Sequence, residues 1–244
     1  MLRTILPLGL AVLVVATPAG AQDGNISMGA FVTIDAKDTE DFEEAAREHA
    51  QWHASQGDTW AWPAYASLGG GVEYAFVTSG HDWSDFDNPP VDMAADQLAW
   101  ASGPAEYATS EEIAIWESLP EFGEPSAEPS ALVQVIEFEV NPGGDAAVLH
   151  AMGKFKEAVD MGGGGGNFGW SRVVSNDGPP TYFVAVFADS FAELGAPGPN
   201  PEEIMTAAFG ATEARMMGDA FDAAATVVSS RIWILRPDLS YMPN

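Results

Sequence analysis

The sequence predicts an α+β fold built from two similar βαββαβ units in tandem. The stretch Ile-Trp-x-x-x-Pro-acidic-apolar occurs at residues 115–122 and again at residues 232–239. A stretch that recurs late in each half of a chain indicates one structural unit built twice. Other positions repeat with it: Trp62, Ser67, Gly70 and Tyr74 recur 108 residues later as Trp170, Ser175, Gly178 and Tyr182. The Ile-Trp pair recurs at 117, and the extra nine residues fall where 195–201 predicts a loop insertion.

The first half contains strand and helix signals in the order β, α, β, β, α, β. Asp38-Thr39 begins a helix with acidic first turns, and Gly57 is its stop signal. The run Gly69–Gly71 joins two strand patterns as a hairpin. The predicted elements are strand 29–34, helix 39–56, strands 59–68 and 72–78, helical region 93–109 interrupted at Gly103-Pro104, and strand 112–116.

The second half repeats that order of elements. Its predicted elements are strand 132–140, helix 145–161, strands 168–175 and 181–187, helix 201–225 and strand 231–235. Residues 121–130 contain three Glu, two Pro and one Gly, which predicts an exposed linker between a first unit, 22–120, and a second unit, 131–244. The strand 181–187 is apolar on both alternations, so both faces of its sheet are expected to be covered, one of them by the sister sheet.

Residues 1–21 have the pattern of a secretory signal peptide. Arg3 supplies a basic start, an apolar run extends from Ile5 to Ala16, and Ala19-Gly20-Ala21 is a small-residue cleavage site. No other stretch reaches the roughly 20 apolar residues of a spanning helix. The sequence therefore predicts a periplasmic or secreted protein with no membrane insertion.

The chain is strongly acidic, with 9 Lys and Arg against 36 Asp and Glu. This charge repels nucleic acid and anionic lipid, so neither is an expected partner. Solvated carboxylates that keep the protein soluble are the simpler explanation, and recruitment of cationic ligands or metal ions is the sharper alternative. The absence of cysteine excludes thiolate nucleophiles, zinc–thiolate sites and iron–sulfur clusters.

The duplicated βαββαβ order resembles ferredoxin-like units of the dimeric α/β-barrel superfamily, which includes antibiotic-biosynthesis monooxygenase-like and stress-responsive proteins. The resemblance implies two antiparallel sheets closed into one pseudo-dimeric α/β barrel within a single chain, with helices outside and a pocket between each sheet and its helices. The resemblance carries no specific catalytic motif. The superfamily includes cofactor-free oxygenases, haem enzymes and proteins with no known reaction, so the fold alone does not select a reaction. Internal pairing lowers the need for a homo-oligomer without forbidding one.

His49 and His53 are the candidate catalytic residues. They share the apolar face of the first helix with Phe42 and Ala46, where the resemblance places a pocket. The corresponding second-half positions are Phe155 and Val159, so a single site is expected in the first half. A packed core histidine is the simpler alternative. An i,i+4 pair is also an incomplete metal spacing with no adjacent third ligand, so no metal is assigned and the cofactor stays unknown.

Aromatic residues of the first half are the predicted walls of the ligand pocket: Trp52, Trp60, Trp62, Tyr74 and Trp100. Trp116 and Trp233, which belong to the two repeated stretches, are expected to be structural. Glu137 and Glu139 would be buried acids with raised pKa if their strand face lined the barrel, but a strand end in water is the simpler expectation. The loop 81–92 predicts solvated carboxylates rather than a calcium site.

These observations predict an exported barrel protein that binds a small apolar or aromatic molecule in the first half. If the protein is an enzyme, the leading hypothesis is a cofactor-independent oxygenase or a proton-transfer enzyme with His49 or His53 as base. The alternatives are a non-catalytic interaction or stress-associated protein, and a haem or metal protein that uses the same two histidines.

Overall fold

The computed structural model describes residues 24–123, 129–163, 166–175, 178–196 and 198–243. The predicted signal peptide, 1–21, and the middle of the predicted linker, 124–128, lie outside the described residues. Within the described ranges, none of the helices combines the length and the apolar character that a membrane crossing requires.

The elements follow the predicted order. The strands are β1 (Ile26–Ile34), β2 (Ala64–Ser67), β3 (Val72–His81), β4 (Ala108–Ser118), β5 (Leu132–Val140), β6 (Asn167–Val173), β7 (Thr181–Ala188) and β8 (Ala225–Leu235). The helices are α1 (Thr39–Gln56), α2 (Met93–Ala101), α3 (Asp145–Ala158), α4 (Phe191–Leu194), α5 (Pro201–Phe209) and α6 (Ala211–Ala224). The bounds of α1 and β5 are the predicted ones.

The strands close into one antiparallel barrel in the order β1-β3-β2-β8-β5-β7-β6-β4, and β4 pairs with β1 to complete the ring. This confirms the predicted α+β class and the closed barrel. The order is β4-β1-β3-β2 in the first half and β8-β5-β7-β6 in the second. The halves join where β2 pairs with β8 and β4 pairs with β6, through three residue pairs at each join.

The barrel interior is a single apolar core that both halves share. It includes Ala75, Val77, Trp116, Val133, Phe183 and Trp233, all at most 1% exposed. Side chains alternate between the two faces of a strand, so one set fills the barrel and the other packs beneath the helices. Trp116 and Trp233 therefore occupy the framework positions expected of them.

Several predicted elements differ from the observed ones. Strand β4 is longer than the predicted 112–116, α2 ends at Ala101, and α3 ends at Ala158. The predicted helix 201–225 is two helices, because Gly210 adopts a left-handed φ of 85° between α5 and α6. The last strand begins at Ala225 instead of residue 231. The second strand signal, 59–68, contributes only Ala64–Ser67 to β2, because the segment before it turns to make an isolated bridge between Trp62 and Tyr241.

Candidate functional site

A cavity of about 510 Å³ lies between the first-half sheet and helices α1 and α2. This volume is within the usual range of small-molecule sites. The apolar walls come from β1, β3, β4, both helices and the C-terminal segment: Met28, Ala30, Val32, Phe76, Ile113, Ala46, Ala50, Met93, Ala101 and Leu239. The superfamily resemblance places a pocket in this layer.

Three ionisable side chains converge at one end of the cavity. His49 and His53 lie one turn apart on α1, and Asp96 reaches them from α2. The two imidazole Nε2 atoms are 3.1 Å apart. Asp96 Oδ1 lies 3.2 Å from Nε2 of His49 and 3.5 Å from Nε2 of His53. Three donor atoms from two helices thus face a common point.

Local helix chemistry places these side chains. Phe42 and Ala46 anchor the buried face of α1, and His49 and His53 continue that face. On α2, the carboxylate of Asp92 caps the helix by accepting from the N–H groups of Ala94 and Ala95. Asp96 is therefore held in the first turn of a capped helix.

Asp58 holds the ring of His53 from the side opposite the cavity. The chain leaves α1 through Gly57, which has a left-handed φ of 69°, and the Asp58 N–H donates to the His53 carbonyl. His53 Nδ1 lies 2.7 Å from Asp58 Oδ2. Because a carboxylate only accepts, the proton is on Nδ1 and the Nε2 lone pair of neutral His53 faces His49 and Asp96.

Asp58 is itself fixed from several directions. Its side chain is 1% exposed, and Oδ1 accepts from the Trp60 N–H at 2.9 Å. The Trp62 Nε1–H donates to Oδ2 at 3.3 Å, and the Tyr241 hydroxyl donates to the Asp58 carbonyl at 2.7 Å. The orientation of His53 therefore depends on a buried network that ties α1 to the C-terminal segment.

The structure divides the predicted pocket aromatics into two groups. Trp62 and Trp100 line the cavity. Trp52 stacks on the His49 ring with centroids 5.7 Å apart but is not among the lining residues. Trp60 packs against His81 and Phe86, and Tyr74 is buried with its hydroxyl donating to Glu43. Trp52, Trp60 and Tyr74 therefore lie behind the residues that line the cavity. Of these three, Trp60 also holds Asp58, because its backbone N–H donates to the Asp58 carboxylate.

Sequence reasoning missed Asp58 and Asp96. Asp58 follows directly on the helix stop Gly57, which is the signal that could have indicated a side chain returning toward the last turn. Asp96 has no local signal, because its role depends on how α2 packs against α1. Along the chain, no third ligand lies next to His49 and His53. In space, Asp96 lies beside both, so the sequence argument against a metal site does not apply to the folded chain.

Further carboxylates lie beside the cavity. Glu111 and Glu112 line it, and the Trp100 Nε1–H donates to Glu111 Oε1 at 2.6 Å. Burial raises the pKa of Glu112 above its ordinary value. The cavity therefore combines apolar walls with a negative electrostatic environment.

The corresponding region of the second half is packed. Phe155, the counterpart of His49, contacts Phe168 with ring centroids 5.4 Å apart, and Val159 joins the same apolar cluster. Among the described residues, His49, His53 and Asp96 are the one convergent group of three such donors. The two halves differ in chemistry where the repeat differs in sequence.

Two acidic residues outside the cavity, Glu137 and Glu139, differ in their exposure to solvent. Glu139 is exposed, as expected. Glu137 is only 3% exposed, so the expectation of water around it was wrong. It follows Val133 and Val135 on the inward face of β5, and burial raises its pKa to about 7. In the loop 81–92, His81 is also buried, and burial lowers its pKa.

No protein-family model matches the chain, and no curated protein matches its sequence. Solved structures do match its fold. An anthrone oxidase-like protein has a TM-score of 0.57 at 13% identity, covering 88% of this chain and 92% of its own. A presumed monooxygenase from Lactobacillus acidophilus NCFM has a TM-score of 0.52 at 13% identity, covering 91% of this chain and 97% of its own. A mutant chlorite dismutase from Candidatus Nitrospira defluvii has a TM-score of 0.53 at 11% identity, covering 87% of this chain and 92% of its own.

These likenesses show the fold and nothing beyond it, because every identity is low. The chain has the fold of the dimeric α/β-barrel superfamily, which confirms the resemblance predicted from the repeat. Neighbours of this fold include proteins named as a monooxygenase, as an anthrone oxidase-like protein and as a chlorite dismutase.

The histidine end does not fit a haem group. A haem iron takes one imidazole nitrogen on a given face of the macrocycle. Here the two Nε2 atoms face each other at 3.1 Å with Asp96 Oδ1 beside them, so neither nitrogen has room for a flat ring in front of it. The donors instead surround a point.

Proposed function

We propose that this protein binds a small, largely apolar or aromatic molecule in the first-half cavity and oxygenates it at the histidine end. The observation that carries the proposal is an apolar cavity of about 510 Å³ that ends in His49, His53 and Asp96. Pockets with apolar walls and a few convergent polar groups are the usual form of small-molecule sites. Neighbours of the same fold named as a monooxygenase and as anthrone oxidase-like support the reaction class.

The chemistry needs a group that removes a substrate proton. The His53 Nε2 lone pair, oriented by Asp58, can take a proton from an activated CH2 group beside an aromatic ring. The carbanion can then reduce O2, so that R–CH2–R′ and O2 give R–CO–R′ and H2O. One oxygen atom enters the product and the other leaves as water, which balances without an outside reductant or a cofactor.

The proposal includes how the chain is built and where it acts. Each half is a ferredoxin-like unit, supported by the shared element order and the matching strand orders, so one chain makes the pseudo-dimer. The N-terminal pattern at residues 1–21 supports export. A non-catalytic binding protein would use the same cavity but leave the bound molecule unchanged.

Ligand binding and turnover are tested separately. The neutral probe N-phenyl-1-naphthylamine is titrated by fluorescence into wild type and Ala30→Trp, whose indole would fill the cavity. We expect Ala30→Trp to lower probe affinity at least about tenfold, a loss of about 1.4 kcal/mol. Ala223→Trp, on the exposed face of α6, is the matched control and should bind like wild type. Equal binding by wild type and Ala30→Trp would contradict the cavity as the binding site.

Turnover is measured as O2 uptake with the molecules recovered by mass spectrometry from protein purified from its native source. His49→Ala/His53→Ala should abolish uptake while retaining probe binding within a few-fold. Retained probe binding with no uptake by wild type would favour the non-catalytic alternative.

A further inference from the structure

We propose that His49, His53 and Asp96 bind one divalent first-row transition-metal ion, with Asp58 as the residue that orients His53. This site goes beyond the proposed oxygenation and does not depend on it, because the ion can be measured with no organic ligand present. Its donors are two imidazole nitrogens and one carboxylate oxygen, all turned to one point at the polar end of the cavity.

The spacing of the donors matches that of ligands around a single ion. Donors about 2.1 Å from a metal ion are about 3.0 Å apart at octahedral angles and about 3.4 Å apart at tetrahedral angles. The three observed separations are 3.1, 3.2 and 3.5 Å. They span the two geometries, so an ion can be placed at ordinary bond lengths with little side-chain movement.

Hydrogen bonding leaves this cluster incomplete. Asp96 Oδ1 is buried and has no hydrogen-bond partner, although it lies 3.2 Å from His49 Nε2. The contact therefore has the distance of an ion pair without hydrogen-bond alignment. A buried carboxylate oxygen without a partner is costly, and a cation at the common point would satisfy it. The same cation would replace the hydrogen bond that one imidazole Nε2 donates to the other.

The arrangement behind His53 is typical of a metal ligand. A ligating histidine commonly donates its second N–H to a carboxylate, which fixes the ring and raises its basicity. His53 donates from Nδ1 to Asp58, and Asp58 is held by the Trp60 N–H and the Trp62 indole. This network orients the Nε2 lone pair before any ion arrives.

The donor set indicates the class of ion. Calcium and magnesium prefer all-oxygen sites, whereas two imidazoles with one carboxylate suit zinc(II) or iron(II). Three protein donors on one side leave coordination positions open toward the cavity. An ion there would occupy the His53 Nε2 lone pair, so a water acidified by the ion would take the place of the free imidazole as the base in the oxygenation proposed above.

The test uses untagged full-length mature protein stripped with a chelator. Zinc(II) binding is measured by calorimetry in 0.5 M NaCl, which screens the acidic surface, and cobalt(II) binding by its visible absorption. We expect one zinc(II) ion to bind tightly per chain. The cobalt(II) protein should show the visible absorption bands of a site with nitrogen and oxygen ligands. His49→Ala, His53→Ala and Asp96→Ala should each weaken zinc binding at least about tenfold, and Asp58→Asn about 10- to 100-fold.

Matched controls remove the same residue types elsewhere. His150→Ala on α3 and Asp219→Ala on α6 are exposed and should bind zinc like wild type. Each variant is compared with wild type by circular dichroism and melting temperature in EDTA, and His49→Gln replaces His49→Ala if the alanine variant fails to fold. Equal zinc affinity in wild type and His49→Ala/His53→Ala/Asp96→Ala would overturn the site. Tight zinc binding with no probe binding would overturn the proposed function alone.

Discussion

Glu137 is a carboxyl group enclosed in the barrel, and its protonation should couple to folding. The Ser229 hydroxyl donates to Oε2 at 3.0 Å and the charge of Arg231 lowers the pKa, but burial outweighs both and raises the pKa from 4.5 to about 7. The folded state therefore binds more protons than the unfolded state between these values. The contribution of Glu137 to stability is greatest below about pH 4.5 and falls as the pH rises toward about 7.

We expect Glu137→Gln to remove this pH dependence. At pH 5 the amide and the protonated carboxyl are similar, so wild type and variant should have similar free energies of unfolding. At pH 8 the variant should be more stable by up to about 3 kcal/mol, because wild type then buries a charge. Urea unfolding at both pH values measures the difference. Glu139→Gln, at an exposed position, should change little, and an equal effect of Glu137→Gln at pH 5 and pH 8 would contradict the coupling.

The sequence could predict His49 and His53 because their placement follows from helical periodicity alone. It could not predict Asp96, whose position depends on packing between α1 and α2, or Asp58, whose position depends on a turn. Glu137 shows the same limit. Its alternation with Val133 and Val135 was visible, but whether that face was wet or dry required the closed barrel.

At the scale of elements, Glu43 links helix α1 to the C-terminal segment. Arg236 donates to both carboxylate oxygens of Glu43, and the Tyr74 hydroxyl donates to Oε1 at 2.6 Å. The Arg236 hydrogen bonds, as the largest cause, lower the pKa of Glu43 below 4.5. Leu239 and Tyr241, just beyond Arg236, line the cavity, so this ion pair also supports the site.

We expect Glu43→Gln to destabilise the protein by about 1–3 kcal/mol at pH 7, because Arg236 loses one of its two charged partners in a half-buried place and keeps only Asp238. The depressed pKa means that the contribution is present above about pH 4.5 and is lost as the pH falls through the folded value. Denaturant unfolding of wild type and variant at pH 7 and pH 3 measures this. Glu44→Gln is the control, since Glu44 is 70% exposed, and it should cost under about 0.5 kcal/mol. A cost for Glu43→Gln that is as large at pH 3 as at pH 7 would argue against charge as the cause.

Element prediction succeeded where the signals were local and failed where pairing decided the outcome. Helix α1 has a start signal, a periodic face and a glycine stop, and its observed bounds agree with the prediction. Strand β2 is short because Trp62 turns toward Tyr241, far away in the chain, which no local pattern could show.

At the scale of the molecule, the barrel is closed by two short joins, and each join contains one copy of the repeated Ile-Trp stretch. Trp116 on β4 pairs with Val173 of the second half, and Trp233 on β8 pairs with Ser67 of the first. Both indoles enter the interior that the halves share. The repeat that predicted the duplicated order thus marks the strands through which each half contacts the other.

A shared interior should make the two halves unfold together. We expect Trp116→Leu and Trp233→Leu each to destabilise the protein by about 2–4 kcal/mol, because each leaves a cavity in a core built by both halves. Both variants should keep one transition, coincident by fluorescence and far-ultraviolet circular dichroism. Trp83→Leu, at a 56% exposed position, should change stability by under about 0.5 kcal/mol. If Trp116→Leu instead gave two separated transitions, one for each half, the joins would be contacts between independent domains and not parts of one cooperative barrel.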